Sequence, residues 1–210
     1  MEQSDANINT ANIGYGGTPL CWAARNGHEE VVRALLERSD VDTDRVDQFG
    51  LTPLCVAARH GHAGVVRLLV EESNANLNTA DSMTGRTPLS WAAMKGHEEV
   101  VRILLEQDSI NPNIVDSRGR IPLSWAAEKG HEGIVRILLE RNDIDIDTID
   151  HFHQTPASWA TWNGHDRIAK LLQDRADFVL RYAAGLQPTH SRSPEPSDPS
   201  EHHSKKIRRV

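Results

Sequence analysis

This sequence predicts an all-α solenoid of five stacked helix pairs with turn or hairpin connections. Three observations carry that expectation. A short phrase recurs every 34 or 35 residues, first as Thr18-Pro19-Leu20-Cys21-Trp22-Ala23-Ala24 and then from Thr52, Thr87, Ile121 and Thr155. Each copy is followed by Gly-His, at Gly27-His28, Gly61-His62, Gly96-His97, Gly130-His131 and Gly164-His165. After each Gly-His comes a short apolar stripe, such as Val31, Val32, Leu35 and Leu36. A fixed period of this size marks a stacked array, not a closed globule around one pocket. It moves the expectation from catalysis toward binding along an extended surface.

Each element of the repeat has its own local cause. Thr18 is a good helix N-cap, and Pro19 suits the first helical turn, where its missing N–H costs nothing. Leu20, Ala23 and Ala24 give a short helix one large and two small apolar groups, so a neighbouring helix can approach closely. Gly27 supplies the left-handed conformation that ends this helix. His28-Glu29-Glu30 opens a second helix with acid in its first turn, which the dipole favours. Val31, Val32, Leu35 and Leu36 fall at helical spacing. The polar stretch from Asp40 leads to Gly50, a turn signal before the next Thr-Pro. Both helices are shorter than the ~12–15 residues an isolated helix needs in water, so one unit must bury its stripes against the next.

The organisation read from this is residues 1–15 as the end of an incomplete preceding repeat with its first turn, 16–186 as the array, and 187–210 as a disordered Pro/Ser/basic tail. Asn7-Ile8-Asn9-Thr10-Ala11 echoes Asn76-Leu77-Asn78-Thr79-Ala80, so the N-terminus opens in the connection after a missing helix pair. At the other end Gln173 stands where earlier repeats carry Leu or Val, which reads as a polar C-terminal cap, and Asp177–Leu186 extends it or adds a helix.

Five copies in one register closely resemble ankyrin repeats, whose signature is Thr-Pro-Leu-His-x-Ala with Gly-His downstream. The resemblance covers about residues 5–180. Two departures recur. The signature His is replaced by Cys21, Cys55, Ser90, Ser124 and Ser158, and the next residue is usually Trp. This dialect is similar to ankyrin arrays common in filamentous fungi, which often trail a nucleotide-binding receptor module. The resemblance implies a non-catalytic protein-binding module with a concave groove, with the recognition array of a larger receptor as one form. The alternative is a docking subunit or adaptor for an enzyme such as a ubiquitin ligase, with catalysis on another chain.

Charge and composition narrow the partners. The 210 residues carry net charge −7. The last 24 hold five Lys/Arg against three Asp/Glu, which leaves residues 1–186 at −9. An acidic array matches phosphate backbones poorly, so a protein partner is expected and no nucleic acid bound by the array. No apolar run approaches the ~20 residues of a membrane span, so no membrane partner is expected. Cys21 and Cys55 are expected to be free thiols, which fits a cytoplasmic setting. Lys205-Lys206-Ile207-Arg208-Arg209 weakly resembles a nuclear-import signal.

No cofactor, metal or small-molecule substrate is expected. The five Gly-His histidines repeat ~8–10 Å apart, whereas two ligands of one zinc lie within about 4 Å. The resemblance implies instead that each braces the loop between its two helices. Trp22, Trp91, Trp125 and Trp159 are expected to pack within and between repeats. Cys21, Ser90 and their equivalents stand seven residues before each His, too far to form a nucleophile–base pair.

The informative positions are those that vary at a repeated place. Three residues before each Thr, or Ile121, stand Tyr15, Phe49, Thr84, Arg118 and Phe152, with Met83 beside Thr84. Seven residues after it stand Arg25, Arg59, Met94, Glu128 and Trp162. By resemblance both rows face the groove. The anchors expected to touch the partner are Tyr15, Phe49, Arg59, Met94, Arg118, Phe152 and Trp162.

Overall fold

The computed structural model describes residues 7–11 and 16–184, in which ten helices and no strand occur. The basic tail and Tyr15 lie outside the described residues. The helices are α1 (Pro19–Asn26), α2 (Glu29–Leu36), α3 (Pro53–His60), α4 (Ala63–Glu71), α5 (Pro88–Lys95), α6 (Glu98–Leu105), α7 (Pro122–Lys129), α8 (Glu132–Leu139), α9 (Pro156–Trp162) and α10 (Asp166–Ala183). Odd-numbered helices pack on odd-numbered ones and even on even. The first helices of successive repeats pack more closely than the second helices do, and the side of the stack that the first helices and turn tips share is called the inner face.

The start and stop signals act locally as their chemistry requires. Thr18, Thr52, Thr87 and Thr155 each accept a hydrogen bond from the N–H three residues on, at 3.2 Å. Ile121 has no side-chain oxygen and makes no such cap. Gly27, Gly61, Gly96 and Gly130 end their helices at φ between 71° and 84°, where an L side chain is strained.

The core runs the length of the stack as one cluster. Leu54, Leu89 and Leu123 fill it from the first helices, and Val66, Leu69, Val101, Leu104 and Leu138 from the second. The paired alanines, such as Ala57 and Ala58, are wholly buried where helices meet. In the first repeat the stripe is only partly covered. Val31 is 50% exposed, whereas its counterparts Val65, Val100 and Ile134 are at most 1% exposed.

The Gly-His pair joins repeats, which differs from the expected brace within one inter-helix loop. The Nε2 of His62 lies 2.9 Å from the Arg25 carbonyl oxygen, in the preceding repeat. His97 reaches Arg59, His131 reaches Met94 and His165 reaches Glu128 in the same way. A carbonyl only accepts, so Nε2 carries the proton. Glycine admits the ring: a Cβ on Gly27 would stand 2.6 Å from His62 Nδ1. The local reason for glycine is the helix stop, and the tertiary reason is the next repeat's imidazole.

A second clip runs along the connections. Asn9 donates to the Asp40 carbonyl and accepts from Asp42 N–H, while Asn78 and Asn113 repeat this with Ser109 and Asn111, and Asp143 and Asp145. At the turn tips Ser117 N–H donates to Thr84 O and His151 N–H to Arg118 O. At the far end the second helix continues to Ala183, so α10 is 18 residues long against eight or nine in α2, α4, α6 and α8.

Candidate functional site

Each turn tip is built on one aspartate. Asp47 Oδ1 accepts the N–H of Phe49 and Leu51, Asp116 those of Arg118 and Arg120, and Asp150 those of Phe152 and Gln154. Asp81 holds Met83, Thr84 and Arg86. The connection after Asp81 has one residue more than its counterparts, which accounts for the single 35-residue spacing. That residue shifts the register. Met83 takes the place of Phe49, Arg118 and Phe152 counted from the aspartate, while Thr84 keeps their place before the positive-φ residue and, like Arg118, offers its carbonyl to the next turn. Met83 is 68% exposed, while the Thr84 hydroxyl is bonded to Asp81.

The second oxygen of these aspartates ties the turn to the helix that follows. The indole N–H of Trp91 donates to Asp81 Oδ2, Trp125 to Asp116 and Trp159 to Asp150, at 2.8–3.1 Å. Held this way, the rings alternate with guanidinium groups along the inner face. Arg59 lies 4.5 Å over Trp91. Arg86 lies between Trp91 and Trp125, 4.8 and 4.3 Å from their centroids. Arg120 lies between Trp125 and Trp159, at 4.6 and 3.8 Å. Trp162 closes the stack on Trp159, at 5.5 Å and 5° from parallel. Phe152 meets Trp159 edge-on.

Arg86 and Arg120, the two arginines that lie between indoles, each face a carboxylate. Arg120 pairs with Asp150 at 2.9 Å and also with Glu128, whose other oxygen takes Lys129. Arg86 Nε stands 3.4 Å from Asp116. Burial pulls the Arg86 pKa below its ordinary value, and Asp116 opposes that pull. Burial also works to raise the Asp150 carboxyl. The Gln154 N–H, the Trp159 indole, Arg120 and the Phe152 N–H outweigh it, so Asp150 titrates below the usual carboxylate range.

The structure places the sequence-derived candidates unevenly. Phe152 and Trp162 stand out at 54% and 71% exposed, on a rigid stacked support. Arg118 is exposed at its turn tip, and Arg59 and Met94 are half-buried. Phe49 is half-buried and leans with Met94 on Leu51, Cys55, Val56 and Trp91. Arg86, Arg120 and the four aspartates were not singled out in the sequence. Their signal was the residue just before each Thr and the Asp five or six before it, which read as ordinary polar linker.

Among the described residues no group of three or more His, Cys, Asp or Glu could hold a metal ion, and no helix is long and apolar enough to cross a membrane. Cys21 and Cys55 are buried free thiols, donating to the Arg45 and Thr79 carbonyls. Burial pushes the Cys55 thiol up to about 12 and also raises Cys21, the opposite of an activated nucleophile.

A family model described as ankyrin repeats (3 copies) matches residues 1–81, 39–116, 75–150 and 109–182. No curated protein matches the chain.

Proposed function

Since the chain belongs to the ankyrin-repeat family, whose members are generally protein–protein interaction modules, we propose that it is a non-catalytic module binding a protein segment along the inner face of its stack. One observation carries this reading. Phe152 and Trp162 are large aromatics left exposed on the inner face and held rigidly by Trp159. Rigid aromatics with Arg neighbours are the common anchors of interfaces, because little side-chain entropy is lost on binding. The partner contacts extend along Phe49, Arg59, Met94 and Arg118, and Tyr15, which holds the corresponding place in the first copy of the sequence repeat, is proposed with them. The Pro-Leu-Ser-Trp-Ala-Ala dialect supports a place as the recognition array of a larger receptor of the fungal type. A cytoplasmic setting suits the two unpaired thiols, and the basic run Lys205–Arg209 would add nuclear entry.

The test is affinity capture of a partner by the full chain, followed by titration with variants. Phe152→Ala with Trp162→Ala should weaken that partner at least about tenfold, since truncated hot spots cost ~2 kcal/mol or more, and should leave the helical spectrum unchanged. Binding that survives this pair but fails on changing Glu29, Arg33 or Glu99 would put the interface on the outer face and overturn the reading.

A further inference from the structure

The Arg–Trp ladder is broken at one rung. In the third and fourth repeats an arginine precedes the first helix (Arg86, Arg120) and a tryptophan stands within it (Trp91, Trp125). In the second repeat those places hold Leu51 and Val56. A guanidinium and an indole are therefore missing at one level of the stack, and a depression of about 380 Å³ opens beside Val56. Leu51, Val56 and Trp91 line it with Phe49, Met83 and Arg59. Arg86 and Arg120 each have an indole on both faces, whereas Arg59 lies over Trp91 alone among the described rings.

We propose that this missing rung is an anchor pocket for an aromatic side chain of an acidic partner segment, the ring completing the stack beside Arg59. The inference rests on the reading that the inner face binds a protein segment, and it names the chemistry of that segment. The aromatic requirement comes from the ladder. A ring in the pocket would meet apolar Leu51 and Val56 and one face of Arg59, where Trp91 and Trp125 each have a guanidinium on both faces.

The acidic requirement comes from the charge on the inner face. Although the array is acidic, the inner ends of its first helices carry Arg25, Arg59, His60, Lys95 and Lys129, with Arg118 at a turn tip. The carboxylate among them, Glu128, is already taken by Arg120 and Lys129. The second helices begin instead with Glu29, Glu30, Glu98, Glu99 and Glu132. The second helices also carry Arg33, Arg67, Arg102 and Arg136, of which Arg67 pairs with Glu99 and Arg136 with Glu132, so an acidic segment is favoured more by the basic ends of the first helices than by the mixed charge of the second. His60 senses this field: burial and the charges of Arg25 and Arg59 hold it below its ordinary pKa.

The experiment uses the full chain and a fluorescein-labelled, amidated Glu-Asp-Trp-Asp-Glu peptide, followed by fluorescence anisotropy. The wild type should bind it, and Val56→Trp, which restores the residue the neighbouring repeats carry, should weaken it at least about tenfold. Arg25 borders the same pocket, and Arg25→Glu reverses the charge at that border. It should weaken the acidic peptide at least about threefold and leave an Asn/Gln-flanked version unchanged. Equal binding of a peptide with Ala for its Trp, equal binding by Val56→Trp, or no binding at about 1 mM peptide would each overturn the pocket. The two readings fail differently. A captured partner lost with Phe152→Ala and Trp162→Ala but kept by Val56→Trp leaves the inner-face reading standing and removes the pocket. A partner that survives both sets removes the inner-face reading itself.

Discussion

Ile121 leaves the hydroxyl of Ser124 buried without a hydrogen-bond partner. In the neighbouring repeats Thr87 Oγ1 lies 3.1 Å from Ser90 Oγ, and Thr155 Oγ1 lies 3.0 Å from Ser158 Oγ. Ile121 removes that oxygen, but it is itself wholly buried in the main core cluster.

The first prediction concerns this orphan. Ser124→Ala should be neutral or stabilising, because a buried unsatisfied hydroxyl costs about 1–3 kcal/mol. Ser90→Ala should destabilise by about 1 kcal/mol, since its hydroxyl is bonded. Urea unfolding of both variants checks the sign, and equal losses would contradict it. Ile121→Thr regains a cap of about 1 kcal/mol and satisfies Ser124. It also gives up apolar burial of similar size, so its net change should stay within about 1 kcal/mol. The cap alone would have predicted stabilisation.

The second prediction separates the two roles of glycine. Gly61→Ala meets a φ of 78° and places a Cβ 2.6 Å from His97 Nδ1. Gly164→Ala meets a φ of 74° with nothing within 4 Å. The second should cost only the left-handed strain of about 1–2 kcal/mol. The first should cost at least about 1 kcal/mol more, because the lost His97 bond to Arg59 O adds to it. Equal melting temperatures for the two variants would show that the imidazole gives way freely.

A third prediction tests the ladder. Arg120→Met keeps the apolar bulk but leaves Asp150, almost fully buried, without its cation. Breaking such a pair costs about 3–5 kcal/mol, which a shift in urea midpoint reads directly. The pH dependence has a definite sign. Asp150 is depressed in the folded state, so its contribution is present above the unfolded carboxylate pKa and is lost as pH falls through the lower folded value. Without Arg120 that loss should begin at higher pH. Parallel stability curves between acid and neutral pH would show that the backbone N–H groups alone hold the carboxylate ionised.

The fourth prediction concerns the thiols. With a pKa of about 12, only about one Cys55 in ten thousand is thiolate at pH 8, so a disulfide reagent should label it about a thousandfold more slowly than an unperturbed cysteine. Labelling on unfolding alone is the expected result. Rapid labelling of the folded chain at Cys55 would contradict the burial.

The sequence alone determined the period, the helix boundaries and the all-α stack. Those depend on contacts within a few residues: Thr18 reaches Cys21 N–H, and Gly27 turns the chain in place. It also pointed to Phe152 and Trp162 as unusual, because each stands at a repeated position in a row of otherwise mixed residues. Only the stacked structure decided what lies between repeats. His62 finds Arg25 across 37 residues and Arg120 finds Asp150 across 30, and neither distance leaves a local trace in the chain. Trp91 looked like plain core because an aromatic repeating in register is read as packing. Its place between Arg59 and Arg86 emerges only when neighbouring turns are brought to helix-packing distance. The same holds for Leu51 and Val56, two ordinary apolar residues whose meaning comes from the guanidinium and indole that stand at their level in the next repeats.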